Sequence, residues 1–131
     1  MSNILAFSNQ KGGVGKTTSA VNVALSLAVT ENNTLLIDLD PQSNATTGLM
    51  DLFENQNGNI YDALIKGEDI KSSITKTSFP FLDIITSTND LVGAEIELVS
   101  VIAREYQLQK VLKSIKTNYD LIIIDCPPSL G

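Results

Sequence analysis

The residues best suited to chemistry lie in one run near the start of the chain, Lys11-Gly12-Gly13-Val14-Gly15-Lys16-Thr17-Thr18. Three glycines within four positions let successive backbone N–H groups curl around an anion with no Cβ in the way. The run follows an apolar segment and opens an amphipathic one, so the anion would sit at a helix N-terminus, where unpaired donors and a partial positive charge add to the attraction. In that geometry Lys16 reaches the β- and γ-phosphates of a nucleotide, the Thr17 hydroxyl ligates Mg²⁺ and Thr18 bonds the α-phosphate. The general phosphate-loop pattern asks for glycine five residues before Gly15; that position is Gln10, so this is not the ordinary loop.

Three carboxylates could complete such a site. Asp38 and Asp40 lie at and just beyond the end of the apolar run LLID, and alternation along an extended chain puts them on one side. Asp125 ends the run LIII, where a buried strand would hold its charge near Mg²⁺ and the phosphates. Carboxylates on one side, with Mg²⁺, Lys11, Lys16 and a helix end on the other, make a balanced set. An isolated aspartate after a strand also serves as a helix cap or turn residue, and that alternative stands for Asp38 and Asp40. Cys126 reads as a small buried residue rather than a reactive thiol.

Composition removes other chemistries. The 131 residues contain no histidine and one cysteine, which excludes histidine-based triads, a Cys/His zinc site and an internal disulfide. Nine basic against fifteen acidic residues give a net charge of −6, so these residues lack the usual footprint of a nucleic-acid binder. Hydrophobic residues make up 43 % and the mean hydropathy is +0.11, which excludes disorder. No apolar run is long enough to cross a membrane and the start has no secretory pattern, so a cytoplasmic protein is expected.

The elements that must position these residues alternate between strand and helix. Ile4–Phe7 reads as a strand buried on both faces. Residues 16–29 place Ala20, Val23, Ala24, Leu27 and Ala28 on one helical stripe, ended by Asn32-Asn33. Leu35–Asp38 is a second buried strand, and Asp40 through Gly48 is a polar stretch rich in turn formers. Ile60–Ile65 reads as a short helix stopped near Gly67. Ile74 and Leu82–Ile85 suggest further strands around a Phe79-Pro80-Phe81 turn. Residues 88–116 read as helix in two pieces, with Gly93 near the start and Arg104 near the break. Leu121–Ile124 is the most apolar strand, halted by Pro127-Pro128. Together they predict a three-layer α/β fold around a mainly parallel sheet, with ligands at the carboxyl ends of the strands.

The string KGGVGKTT has the form of a deviant Walker A motif, and the chain resembles the ParA/MinD superfamily of ATPases, within it the ParA/Soj partition ATPases. NQKGGVGKTT, LLIDLDPQSNATTGL, NDLVGAEIELV and YDLIIIDCPPSLG each look like that family's version of the segment. Ser43 stands where the family often has glycine. The resemblance implies a P-loop NTPase fold. It implies that Lys11 reaches across a nucleotide-sandwich dimer, that Asp40 orients the attacking water, that Asp38 supports the metal's water shell and that Asp125 is the Mg²⁺-linked aspartate. Family members run to about twice this length. Residues 1–131 are therefore expected to be the N-terminal part of a single ATPase domain, with the sheet cut off after the Walker B strand and an apolar edge left on the phosphate-loop strand.

The expected function is a Mg²⁺-dependent ATPase of chromosome or plasmid partitioning. As the resemblance implies, ATP drives a homodimer that binds DNA without sequence preference on the nucleoid, and a ParB-type partner stimulates hydrolysis. ATP rather than GTP rests on the resemblance alone. Two alternatives stand beside it: a MinD-like membrane-cycling regulator, against which DLDPQSNATTGL argues, and a catalytically silent nucleotide-binding or interaction fragment.

Overall fold

The computed structural model describes residues 3–7, 14–88 and 101–126, with the backbone alone for residues 14–18 and 101–105. Its strands are β1 (Asn3–Phe7), β2 (Thr34–Asp38), β3 (Thr75–Lys76), β4 (Leu82–Ile85) and β5 (Leu121–Asp125). Its helices are α1 (Val14–Val29), α2 (Asn44–Gly48), α3 (Ile60–Leu64) and α4 (Val101–Leu112). The sheet order is β1-β5-β2-β4-β3, parallel throughout except for the short antiparallel pairing of β3 with β4.

Each central strand alternates between two cores. Leu35, Ile37, Ile122 and Ile124 face a core closed by Ile60, Ala63 and Leu64 of α3 and by Leu108 and Leu112 of α4. Leu36, Ile123, Leu82 and Ile84 face the other, closed by Ala20, Ala24 and Ala28 of α1 and Ala45 of α2. Alanine at every fourth residue of α1 keeps one face of the helix flat enough to lie close against the sheet. This is the three-layer arrangement expected from the alternating elements, with helices on both faces.

Four local expectations need correction. The run Ile4–Phe7 is a strand, but it is not buried on both faces: Ile4 is 36 % and Leu5 44 % exposed. Among the described residues β1 has a neighbour on one side only, so its side chains lack the cover that a central strand receives. The stretch from Asp40 to Gly48 is not all turn, because Asn44–Gly48 closes into α2. The strand expected around Ile74 is Thr75–Lys76, and Ile74 itself lies just before it. Arg104 lies within α4 rather than at a helix break, and the helix instead gives way after Leu112 to turn and a 3₁₀ segment at Lys116–Asn118. Gly93 and Pro127-Pro128 lie outside the described residues.

Candidate nucleotide-binding site

The strand register builds the site. Phe7 at the end of β1 pairs with Asp125 at the end of β5, and Asp125 pairs with Asp38 at the end of β2. The ladder runs one step further, with Cys126 N–H donating to the Phe7 carbonyl at 2.9 Å and Leu39 N–H to the Asp125 carbonyl at 2.9 Å. Three strands therefore end at one level. The chain leaves Phe7 at that level and re-enters as α1 at Val14, carrying the glycine-rich run between. Lys11, Gly12 and Gly13 lie outside the described residues; Val14, Gly15, Lys16, Thr17 and Thr18 form the first turn of α1. The backbone N–H groups of a first helical turn have no partner inside the helix and can meet an anion.

Asp38 and Asp125 are both fully buried and stand opposite each other in register. Burying two carboxylates side by side is costly. Burial raises the Asp38 carboxyl to about 6, the charge on Asp125 adds to the rise, and hydrogen bonds from Thr46 and Asp40 oppose it. Asp38 Oδ2 accepts the Thr46 backbone N–H at 2.8 Å and the Thr46 hydroxyl at 2.7 Å, and Oδ1 accepts the Asp40 N–H at 3.1 Å. The first of these bonds caps α2 from a distance, since the N-cap residue Ser43 makes no side-chain cap bond. Asp40 is 4 % exposed, and its Oδ1 accepts the Gln42 N–H at 3.0 Å. Both aspartates therefore fill the capping and turn roles left open by the sequence and also occupy the carboxyl edge of the sheet.

Ser43 has φ +59°, in the left-handed region where a side chain is strained. Glycine would adopt that conformation without strain. Two neighbours escaped the sequence reading: Thr46, which holds Asp38, and Ser87, whose hydroxyl donates to the Asp40 carbonyl at 2.6 Å. Serine and threonine in a polar stretch carry no signal of such contacts until the fold brings β2 and β4 together.

The residues present suit Mg²⁺ bound together with a nucleotide. Among the described residues no three Asp, Glu, Cys or His side chains cluster closely enough to hold a metal ion alone. Mg²⁺ needs no such cage: one or two carboxylates, a hydroxyl and phosphate oxygens suffice. A pair of buried carboxylates at the strand ends of the sheet on which α1 packs is that kind of donor set.

The AAA domain family matches residues 2–131, nearly the whole chain. The chain belongs to that family, in its ParA/Soj branch. It is 50 % identical over 98 % of its length to the chromosome partitioning protein ParA of Myxococcus xanthus, covering 45 % of that protein. It is likewise 50 % identical over its full length to the sporulation initiation inhibitor protein Soj of Bacillus subtilis, covering 52 % of it. The chain thus spans about half the length of these ParA/Soj relatives. A crystal structure of cobyrinic acid a,c-diamide synthase from Mycobacterium smegmatis with bound ADP and magnesium superimposes with a TM-score of 0.86 at 34 % identity, over 100 % of this chain and 53 % of that one. Nucleotide and Mg²⁺ binding therefore occur on this fold in that neighbour. No helix among the described residues is long and apolar enough to cross a membrane.

Proposed function

We propose that the complete protein is an ATP-hydrolysing partition protein that works as an ATP-dependent homodimer with non-specific DNA and a ParB-type partner, in the cytoplasm and on the nucleoid. The observation that carries the reading is the register that sets Asp38 beside Asp125 at the level where β1 ends. The ParA/Soj relatives and the ADP–magnesium neighbour support the choice of nucleotide and process.

In this reading the backbone of residues 12–18 cradles the phosphates, Lys16 bonds the β- and γ-phosphates, and Lys11 reaches the partner's nucleotide. Thr17 and Asp125 would hold Mg²⁺, with Asp38 supporting its water shell, and the ion would offset phosphate charge during transfer. Asp40 orients the attacking water. The buried walls around Asp38 and Asp125 keep bulk water away, so each charge acts in a low dielectric. Catalysis is positioning and charge stabilisation, with no covalent protein intermediate.

The test is nucleotide binding and phosphate release by the complete protein. Replacing Lys16 by alanine removes a charge-assisted bond and should weaken ATP binding about tenfold or more. An unchanged dissociation constant for Lys16→Ala, or a wild type that binds no nucleotide, would sink this reading.

A further inference from the structure

Asp38 takes two of its three hydrogen bonds from one residue, Thr46, and those two saturate Oδ2. The Thr46 hydroxyl has one proton, which it gives to Asp38. As an acceptor the same oxygen takes the Ser87 backbone N–H at 3.0 Å. Its rotor is therefore fixed from both sides. Ser87 is itself anchored, because its hydroxyl donates to the Asp40 carbonyl at 2.6 Å. The chain Ser87–Thr46–Asp38 thus joins the segment after β4 to the end of β2, and the Ser87–Asp40 bond closes it into a loop. Ser87, Asp38 and Asp40 are buried and Thr46 is half-buried, so the network is largely withdrawn from water.

A carboxylate opposite a second buried carboxylate would turn away if nothing held it. Resting on the nucleotide-binding reading above, we propose that Thr46 is a positioning residue: braced by Ser87, its hydroxyl fixes the Asp38 carboxylate beside Asp125 in the orientation that serves a nucleotide-bound divalent cation. Thr46 touches neither nucleotide nor metal in this scheme. It acts through Asp38, and because one oxygen of Asp38 is fully engaged, the carboxylate is left to orient a cation's water rather than enclose the cation.

Thr46→Val keeps the shape of the side chain and removes the hydroxyl. The complete protein and its variants are titrated with ADP, once with Mg²⁺ and once with EDTA, and melted by circular dichroism without nucleotide. Thr46→Val should weaken ADP binding in Mg²⁺ about tenfold, as expected for one lost bond to a charged group, and leave the EDTA value within about twofold. Thr46→Ser, which restores the hydroxyl, should recover the Mg²⁺ effect. A structural role alone would lower the melting temperature or shift both affinities equally. If Thr46→Val keeps the wild-type ratio of the two affinities, the proposal fails while the nucleotide reading stands. If the wild type binds no ADP or shows no Mg²⁺ effect, both fail. Should Thr46→Val not fold, Ser87→Ala carries the test: it keeps the Thr46 hydroxyl and the Ser87 N–H bond to it, but removes the hydroxyl that anchors Ser87 to the Asp40 carbonyl and so loosens the brace. It should reduce the Mg²⁺ effect about threefold, and an unchanged ratio would overturn the proposal.

Discussion

The two ends of the sheet treat their acidic residues in opposite ways. At the amino end Asp83 and Asp120 each close a local pair. Tyr119 Oη donates to Asp83 Oδ2 at 2.8 Å, with Lys76 opposite Asp83 across the β3–β4 pair. Asp120 Oδ2 accepts the Asn33 N–H at 2.8 Å while its own N–H donates to the Asn33 carbonyl at 2.8 Å. The Tyr119 phenol is pushed above its ordinary range by burial and by the neighbouring Asp83, so it stays a neutral donor. At the carboxyl end two fully buried carboxylates oppose each other instead. A fold optimised for stability alone would not set like charges together in its interior. The amino end closes the structure, and in the proposed reading the carboxyl end gives up stability for chemistry.

The largest expected effect lies at the carboxyl end. Asp40→Ala should retain ATP binding and lower hydrolysis by the complete protein about a hundredfold or more, as for a lost water-orienting group. Phosphate release at the wild-type rate would remove Asp40 from that role.

A second comparison is between protonation states of Asp38. Its folded carboxyl, at about 6, lies above the unfolded value of 3.8. The protonated form is favoured by folding, so its stabilising contribution is complete below about 3.8 and is lost as pH rises through about 6. The stability of the metal-free protein relative to Asp38→Asn should therefore fall by about 1–3 kcal/mol between pH 4 and pH 7. Denaturant melts of both proteins across that range would show it, and a pH-independent difference would place the Asp38 carboxyl at its ordinary value.

At the amino end the effects are smaller and confined to stability. Tyr119→Phe should cost about 1 kcal/mol by removing the donor to Asp83, with ADP affinity unchanged. A change in ADP affinity would erase the contrast between the two ends. The smallest effect expected is at Ser43, where Ser43→Gly relieves a left-handed backbone and should raise stability by about 0.5 kcal/mol, read as a rise in melting temperature.

The sequence made the strands that carry the carboxylates legible because LLID and LIIID are unbroken leucine and isoleucine runs that end in aspartate, and both are buried as read. It misjudged Ile4–Phe7 because apolar composition reports what a strand can tolerate, whereas burial depends on neighbours elsewhere in the chain. It missed α2 because Asn-Ala-Thr-Thr-Gly has little helix propensity, and what secures its first turn is the Asp38 carboxylate, six residues before its start. Thr46 and Ser87 were invisible for the same reason, since their meaning lies in a contact between two strand ends.

The pairing of β1 with β5 joins the two ends of the described chain. During synthesis β1 leaves the ribosome first and waits for almost the whole of this chain before β5 arrives. Local turns such as α3 can form meanwhile, but the level at which Phe7, Asp125 and Asp38 meet cannot exist until β5 docks between β1 and β2. Assembly of the candidate nucleotide site therefore waits until β5 has been made, and until then the NILAF segment lacks the strand partner it has in the fold.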